Sequence, residues 1–152
     1  MKINEVIIDN IKGIGAMPDN GNIDYFGFRV LMKPSIFLEL TPYISRFSDR
    51  VYAMRNYIRQ GNAIASPYLK IEIPMEWEHG NFKKIARVYG HEGRHRMLAL
   101  LQEEGDIPIE VHMAFNFYNK NKVKQIWLNN LNKSLYSQDG DYFKGPFFQL
   151  IA

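Results

Sequence analysis

The chain has 152 residues, enough for one domain with a sizeable core. At 46% hydrophobic, 23% charged and 14% aromatic it has the composition of a folded protein, which excludes a disordered chain. It has no cysteine, which excludes disulfides, thiolate metal sites and a cysteine nucleophile, and no apolar run nears the roughly 18 residues of a membrane span.

Met1-Lys2-Ile3-Asn4-Glu5 lacks the apolar stretch of a signal peptide, so the expectation is a soluble cytoplasmic protein with no membrane partner. The net charge of +3 is unevenly placed. Residues 1–45 carry four Lys/Arg against five Asp/Glu, and residues 101–152 carry five against six. Residues 46–100 carry ten against five, so the middle third holds the whole positive excess and marks itself for an anionic partner. A solvated basic face would show the same count.

Ile3 to Ile8, rich in β-branched residues, is predicted as a strand. Residues 12–24 are dense in turn formers and read as a loop, and Tyr25 to Met32 is a strand with Gly27 as a candidate bulge. Pro34-Ser35 opens a short helix to about Leu40, which Pro42 ends. Ser48-Asp49 caps a second helix whose stripe is Phe47, Val51, Met54 and Ile58, flanked by Arg46, Arg50, Arg55 and Arg59 and stopped by Gly61. Tyr68 to Ile73 alternates as a strand between Pro67 and Pro74, and Met75 to Asn81 is its connection to a strand over Lys84 to Tyr89. Arg94 to Glu104 is a helix burying Met97, Leu98, Leu100 and Leu101 and capped by Gly105. Ile107 to Phe117 returns as a strand, and Lys122 to Leu135 is the last helix, with Val123, Ile126, Trp127, Leu131 and Leu135 inward. The aromatic tail through Gly140, Gly145-Pro146 and Phe147-Phe148 packs. Trp77 and Trp127 are core or loop anchors, and Tyr25, Phe26 and Phe28 on their alternating strand are core, or a platform for stacking bases if that strand is exposed beside the basic patch. His79 and His112 stand alone. Lys120, Lys122 and Lys124 are solvated, and Glu5, Asp19 and Asp24 have no metal spacing.

The sharpest piece is the strand-to-helix junction Gly90-His91-Glu92-Gly93-Arg94-His95-Arg96. Glycines let a ligand approach the backbone, and the first-turn N–H groups of a helix are unpaired donors on the positive end of its dipole. Arg94 and Arg96 add forked donors and His95 another, each charge-assisted bond contributing about 1.5–3 kcal/mol. Arginines in a first turn oppose the dipole unless an anion is there to neutralise, which favours a phosphate cradle over a bare tight turn. The same letters spell H-E-x-x-H, in which His91 and His95 would hold zinc and Glu92 would act as base of a peptidase. That motif needs one continuous helix and a third ligand. Gly90 and Gly93 place the helix start inside it, and His112, Glu103 and Glu104 sit at no diagnostic spacing.

Val88 to Leu100, followed by Gly105-Asp106-Ile107-Pro108-Ile109-Glu110-Val111, resembles the ParB/sulfiredoxin-like superfamily, whose signature is a strand, Gly-x-[His/Arg]-Arg-x-x-Ala on a helix, and a Pro-containing strand. Gly93, His95, Arg96 and Ala99 match it by position. Ser48 to Gln60 resembles the family's preceding helix, and Gly61 to Ile71 its Gly…Pro segment. The likeness spans roughly residues 46–113, and the flanks resemble additions carried by phage and mobile-element members. The resemblance implies a nucleoside triphosphate, CTP or ATP, with Mg²⁺, at this turn. By position Gly93, Arg94, His95 and Arg96 would meet phosphates, and Ser66 and Pro67 the base or sugar; Gly90 and His91 join them as phosphate-binding candidates from the junction itself. Family chemistry ranges over NTP hydrolysis, phosphoryl transfer and nuclease activity. Partition proteins carry glutamate, and sulfiredoxins their nucleophilic cysteine, where this chain has Arg94. Sulfiredoxin chemistry is thereby excluded, and Glu92 is left as the Mg²⁺ ligand or base.

The expected protein is one α/β (α+β) domain, a small mixed sheet flanked by helices with a ParB-like core about 46–117 and additions at 1–45 and 118–152. It binds a nucleotide or nucleic-acid phosphate. Glu92, His95 and Arg96 carry any catalysis, with Arg94 and Arg96 stabilising charge on the phosphoryl group and His91 in support. Two alternatives stand beside it: a non-catalytic phage accessory protein that binds a host protein or nucleic acid, and the zinc peptidase. If phage-encoded, the protein works in the cytoplasm of its bacterial host.

Overall fold

A computed structural model describes residues 15–16, 26–115 and 124–151. The predicted strand at Ile3 to Ile8, together with Glu5, Asp19, Asp24, Tyr25, Lys120, Lys122 and Val123, lies outside the described residues.

Strand β1 (Gly15–Ala16) is short, and β2 (Phe26–Met32) is the first long strand. Helix α1 (Pro34–Leu40) follows with Pro34 in its first turn, where a fixed φ suits a helix and a missing N–H costs nothing. Helix α2 (Asp49–Arg59) starts at Ser48, whose Oγ accepts from the Val51 N–H at 3.2 Å. Strands β3 (Tyr68–Glu72) and β4 (Arg87–Glu92) are joined through a 3₁₀ turn at Met75–His79. Helix α3 (Arg94–Glu104), strand β5 (Ile109–Phe115), helix α4 (Gln125–Leu131) and strands β6 (Ser134–Tyr136), β7 (Tyr142–Lys144) and β8 (Gln149–Leu150) complete the chain.

The strands form one mixed sheet in the order β1-β2-β5-β3-β4-β6-β7, with β8 also on β2. Parallel pairs β3–β5 and β4–β6 alternate with antiparallel β2–β5, β3–β4 and β6–β7. Alternation along the strands turns Phe28, Val30, Met32, Leu69, Ile71, Val88, Val111, Met113 and Phe115 to one buried side. Each such side chain contributes about 1.5–3 kcal/mol by leaving water. Phe37 and Leu40 of α1, Met97 and Leu100 of α3, Trp127, Leu128 and Leu131 of α4 and the tail's Phe147 and Phe148 join the same cluster. Val51 of α2 meets Leu98 and Ala99 of α3 in a second one. Helix α3 therefore has apolar neighbours on two sides, which is why Met97 to Leu100 are buried without a break.

Several sequence expectations are corrected. Gly27 is not a bulge: β2 pairs with β5 in unbroken register, and glycine is required because a Cβ would run into the Met113 carbonyl. Gly15–Ala16, inside the predicted loop, pairs with Phe26 and Gly27. Phe47 lies ahead of the Ser48 cap and is 77% exposed, outside the α2 stripe. The strand predicted from Lys84 starts at Arg87 and runs on through Glu92. The strand predicted over 107–117 is Ile109–Phe115 in the described residues. Helix α4 stops at Leu131, and Leu135 is buried from strand β6 instead. The reason is Asn132, whose side-chain Oδ1 accepts from the Phe147 and Phe148 N–H groups at 2.7 and 3.0 Å. A bond to the tail thus holds the residue at which the helix ends.

Candidate functional site

The junction is built by two backbone irregularities. In the β3–β4 ladder Ile71 faces Val88 but Lys70 faces Gly90, so Tyr89 is an extra residue. With it, His91 stands opposite Leu69 and shares that residue's face, which is the buried, helix-covered face of the sheet. Without it, His91 would point to the other side. At Gly93 the chain then turns from strand to helix in a single residue with φ 109° and ψ 21°. A Cβ there would lie 2.6 Å from the Pro67 Cβ and 3.0 Å from Arg96 Nη2, so both the conformation and the space demand glycine.

Helix α3 begins with no side-chain cap and no acidic residue in its first turn. In front of it lies a cleft of about 550 Å³, lined by His91, Glu92, Gly93, Arg94, His95 and Arg96 on one side and by Arg50, Ala53, Met54 and Tyr57 of α2 on the other. The four α2 positions follow i, i+3, i+4, i+7 and so form one helical face.

The arginines divide into two kinds. Arg96 is committed internally: Nη1 donates to the Ala65 carbonyl at 2.6 Å and Nη2 to Glu92 Oε1 at 3.2 Å, and its side chain is 14% exposed. It stitches the segment before β3 to the turn. Among the described residues Arg94 reaches only the Pro42 carbonyl, at 3.4 Å, and Arg50 has no ion-pair partner. Arg55 and Arg59, in contrast, both grip Glu103 of α3 and pin α2 across it. The histidines register this field. Burial pushes His95 below the ordinary imidazole range, and the Arg50 and Arg94 charges lower it further against a small opposing pull from Glu92. Burial likewise lowers His91, despite the hydrogen bond between its Nδ1 and Gln138 Oε1 that favours protonation.

Of the predicted site residues, His91 to Arg96 come together in the cleft. Gly90 lies in β4, where a Cβ would meet Lys70 Cδ at 2.9 Å. Ser66 is half-buried and is not among the lining residues, while Pro67 is buried behind Gly93. The helical form of H-E-x-x-H is not realised, because His91 lies in strand β4 and His95 in the first turn of helix α3, with Gly93 between them. Glu103 is held by its two arginines, and His112 lies on β5. Among the described residues no three or more His, Asp or Glu side chains gather as a metal site, and no helix is long and apolar enough to cross a membrane. Arg50, Ala53, Met54, Tyr57 and Gln138 were not legible as site residues. The i, i+7 relation of Arg50 and Tyr57 was visible, but which wall that face meets is a tertiary fact.

Compared with family models, curated proteins and solved structures, the chain matches none.

Proposed function

We propose that this cleft binds the phosphate of a nucleotide or nucleic acid, and that the chain is a ParB-like protein of this kind. The observation that carries the reading is the pairing of an uncapped α3 N-terminus with two arginines, Arg50 and Arg94, that have no carboxylate partner among the described residues. The dipole end and the guanidinium forks converge on one concavity, where a phosphate oxyanion would satisfy both. His95 becomes a further donor once an anion offsets the neighbouring charges. The resemblance over 46–113 supports the same assignment.

Arg96 serves this reading as a brace, and Arg50 takes its place among the phosphate-facing cations. Glu92, the one carboxylate of the lining among the described residues, is ion-paired with Arg96, so this donor set does not make a protein-held Mg²⁺ site. Mg²⁺ would enter on the ligand's own phosphates. This commitment of Glu92 and Arg96 to each other favours binding over turnover, whether NTP hydrolysis, phosphoryl transfer or nuclease action. Isothermal titration with CTP, ATP and GTP, with and without Mg²⁺, tests the reading. Arg94→Ala and Arg50→Ala should each weaken binding about tenfold or more, the size of one charge-assisted bond. Absence of binding to all three nucleotides at near-millimolar concentration removes the nucleotide form, and binding indifferent to both substitutions removes the site.

A further inference from the structure

Ahead of the cleft, the segment linking α1 to α2 presents two large aromatic rings to solvent. Tyr43 is 86% exposed and Phe47 77% exposed. The segment is held by its own backbone: the Ser48 N–H donates to the Ser45 carbonyl at 3.4 Å, the Phe47 N–H to Ser45 Oγ at 3.2 Å, and Ser48 caps α2. The rings are thus held out by an ordered turn. Arg46, between them in sequence, has no ion pair among the described residues and is exposed. Arg50, one turn further on, is the α2 arginine that already lines the cleft. The Pro42 carbonyl beside Tyr43 is the one Arg94 reaches. Asp49, in the first turn of α2, is the one acidic residue between positions 43 and 59.

We infer that this surface extends the cleft into a track for single-stranded nucleic acid, in which bases stack on Tyr43 and Phe47 while the backbone phosphates follow Arg46, Arg50 and Arg94. Interleaved aromatic rings and unpaired cations are what a flexible polyanion with exposed π-faces requires. Four residues of chain span at most about 14 Å, so the two rings are close enough to take neighbouring bases. A duplex hides its base faces, so the rings favour the single strand. An apolar protein segment would find use for the rings, and for the hollow of about 180 Å³ lined by Leu38, Pro42, Tyr43, Arg46 and Leu101, but not for three arginines, Arg46, Arg50 and Arg94, that have no carboxylate partner among the described residues. The inference rests on the phosphate reading of the cleft and narrows its ligand.

Fluorescence anisotropy with a short labelled oligothymidylate, its RNA counterpart and a duplex of the same length tests it, alongside nucleotide titration of the same variants. The single strands should bind more tightly than the duplex, with DNA and RNA arms separating which sugar is preferred. Tyr43→Ala and Phe47→Ala should each weaken single-strand binding about tenfold. Both rings are exposed and absent from the cleft lining, so nucleotide affinity and the thermal midpoint should stay unchanged. Arg46→Gln should reduce the salt slope by about 0.7. Single-strand affinity untouched by the ring substitutions, or nucleotide binding with no oligonucleotide binding at all, overturns the inference and leaves the cleft standing. Loss of both nucleotide and oligonucleotide binding in the unmodified protein overturns the cleft reading itself. A dimer in sedimentation that Tyr43→Ala/Phe47→Ala dissociates, without change in oligonucleotide affinity, assigns the rings to a second copy instead.

Discussion

His95 is the residue at which the cleft's electrostatics can be measured directly. Burial comes first among the causes that lower it, with Arg50 and Arg94 next, so in the folded protein it gives up its proton below the ordinary midpoint of about 6.5. The folded state then binds fewer protons than the unfolded one, and this group makes the protein less stable as pH falls through that midpoint. An anion in the cleft reduces the imbalance by offsetting the two arginines. Sulfate is the suitable probe, because its charge is constant in this range. In an NMR titration of the His95 ring the midpoint should lie below about 6.5 in the free protein and move upward on adding sulfate. Linkage then requires sulfate affinity to increase as the solution is acidified, about tenfold if the midpoint rises by about one pH unit. His95→Asn should flatten that dependence. A midpoint indifferent to sulfate would mean that the ring does not face the bound anion. At this scale the turn was readable: Gly93 and the charged residues after it announce a strand-to-helix junction lined with charge by composition alone. That Arg96 is a brace and Arg50 a wall residue was not, because both facts depend on partners, Ala65 and His95, that are distant in sequence.

Helices α2 and α3 form the two walls, and Glu103 holds them together. Its Oε1 takes Arg55 Nε at 2.6 Å and Arg59 Nη2 at 2.7 Å, while Oε2 accepts from Arg59 Nε at 2.9 Å. The Arg59 and Arg55 hydrogen bonds hold the Glu103 carboxyl below the usual carboxylate range. Its contribution is therefore present above that range and lost as pH falls through its folded midpoint. Glu103→Gln should lower the thermal midpoint at neutral pH, with the gap to the unmodified protein closing in acid, as thermal melts across pH would show. It should also weaken nucleotide binding without touching any lining residue, since the α2 wall is no longer pinned. Equal melts at neutral pH would make the clamp ornamental. The helices themselves were legible where local signals are strong. Ser48 and Gly61 bracket α2, Gly93 and Gly105 bracket α3, and both glycines around α3 have positive φ. Where a boundary is set from afar the reading slipped: β4 is shifted by a bulge that needs β3, and α4 is cut short at a residue bonded to the tail.

The molecule as a whole is closed by its C-terminal segment. After α4 the chain adds β6 and β7 beyond β4 and then returns to the opposite side of the sheet, where β8 pairs with β2. That path is held by Asn132. Besides accepting two tail N–H groups it donates from Nδ2 to the Phe148 carbonyl at 2.9 Å, and Phe148 then meets Phe28 edge-on with ring centres 5.9 Å apart. The same segment carries Gln138, the partner of His91, so the tail's position bears on the floor of the cleft. Nothing near Asn132 in sequence foretells three bonds to residues 147 and 148; the tail's aromatic content showed only that it would pack. Asn132→Ala leaves those backbone groups without partners in a partly buried place, a cost of about 1–3 kcal/mol. At this chain length that lowers Tm by about 2–12 °C. Because the core cluster includes Phe147 and Phe148, the loss should appear as local release of the tail before global unfolding. Limited proteolysis should then cut within residues 138–148 in the variant under conditions where the unmodified chain is intact, and the His91 ring resonance should shift as its Gln138 partner loosens. A variant with the parent's Tm and the parent's resistance to protease would place the hold on the tail in the two phenylalanines alone, with the amide only filling space between them.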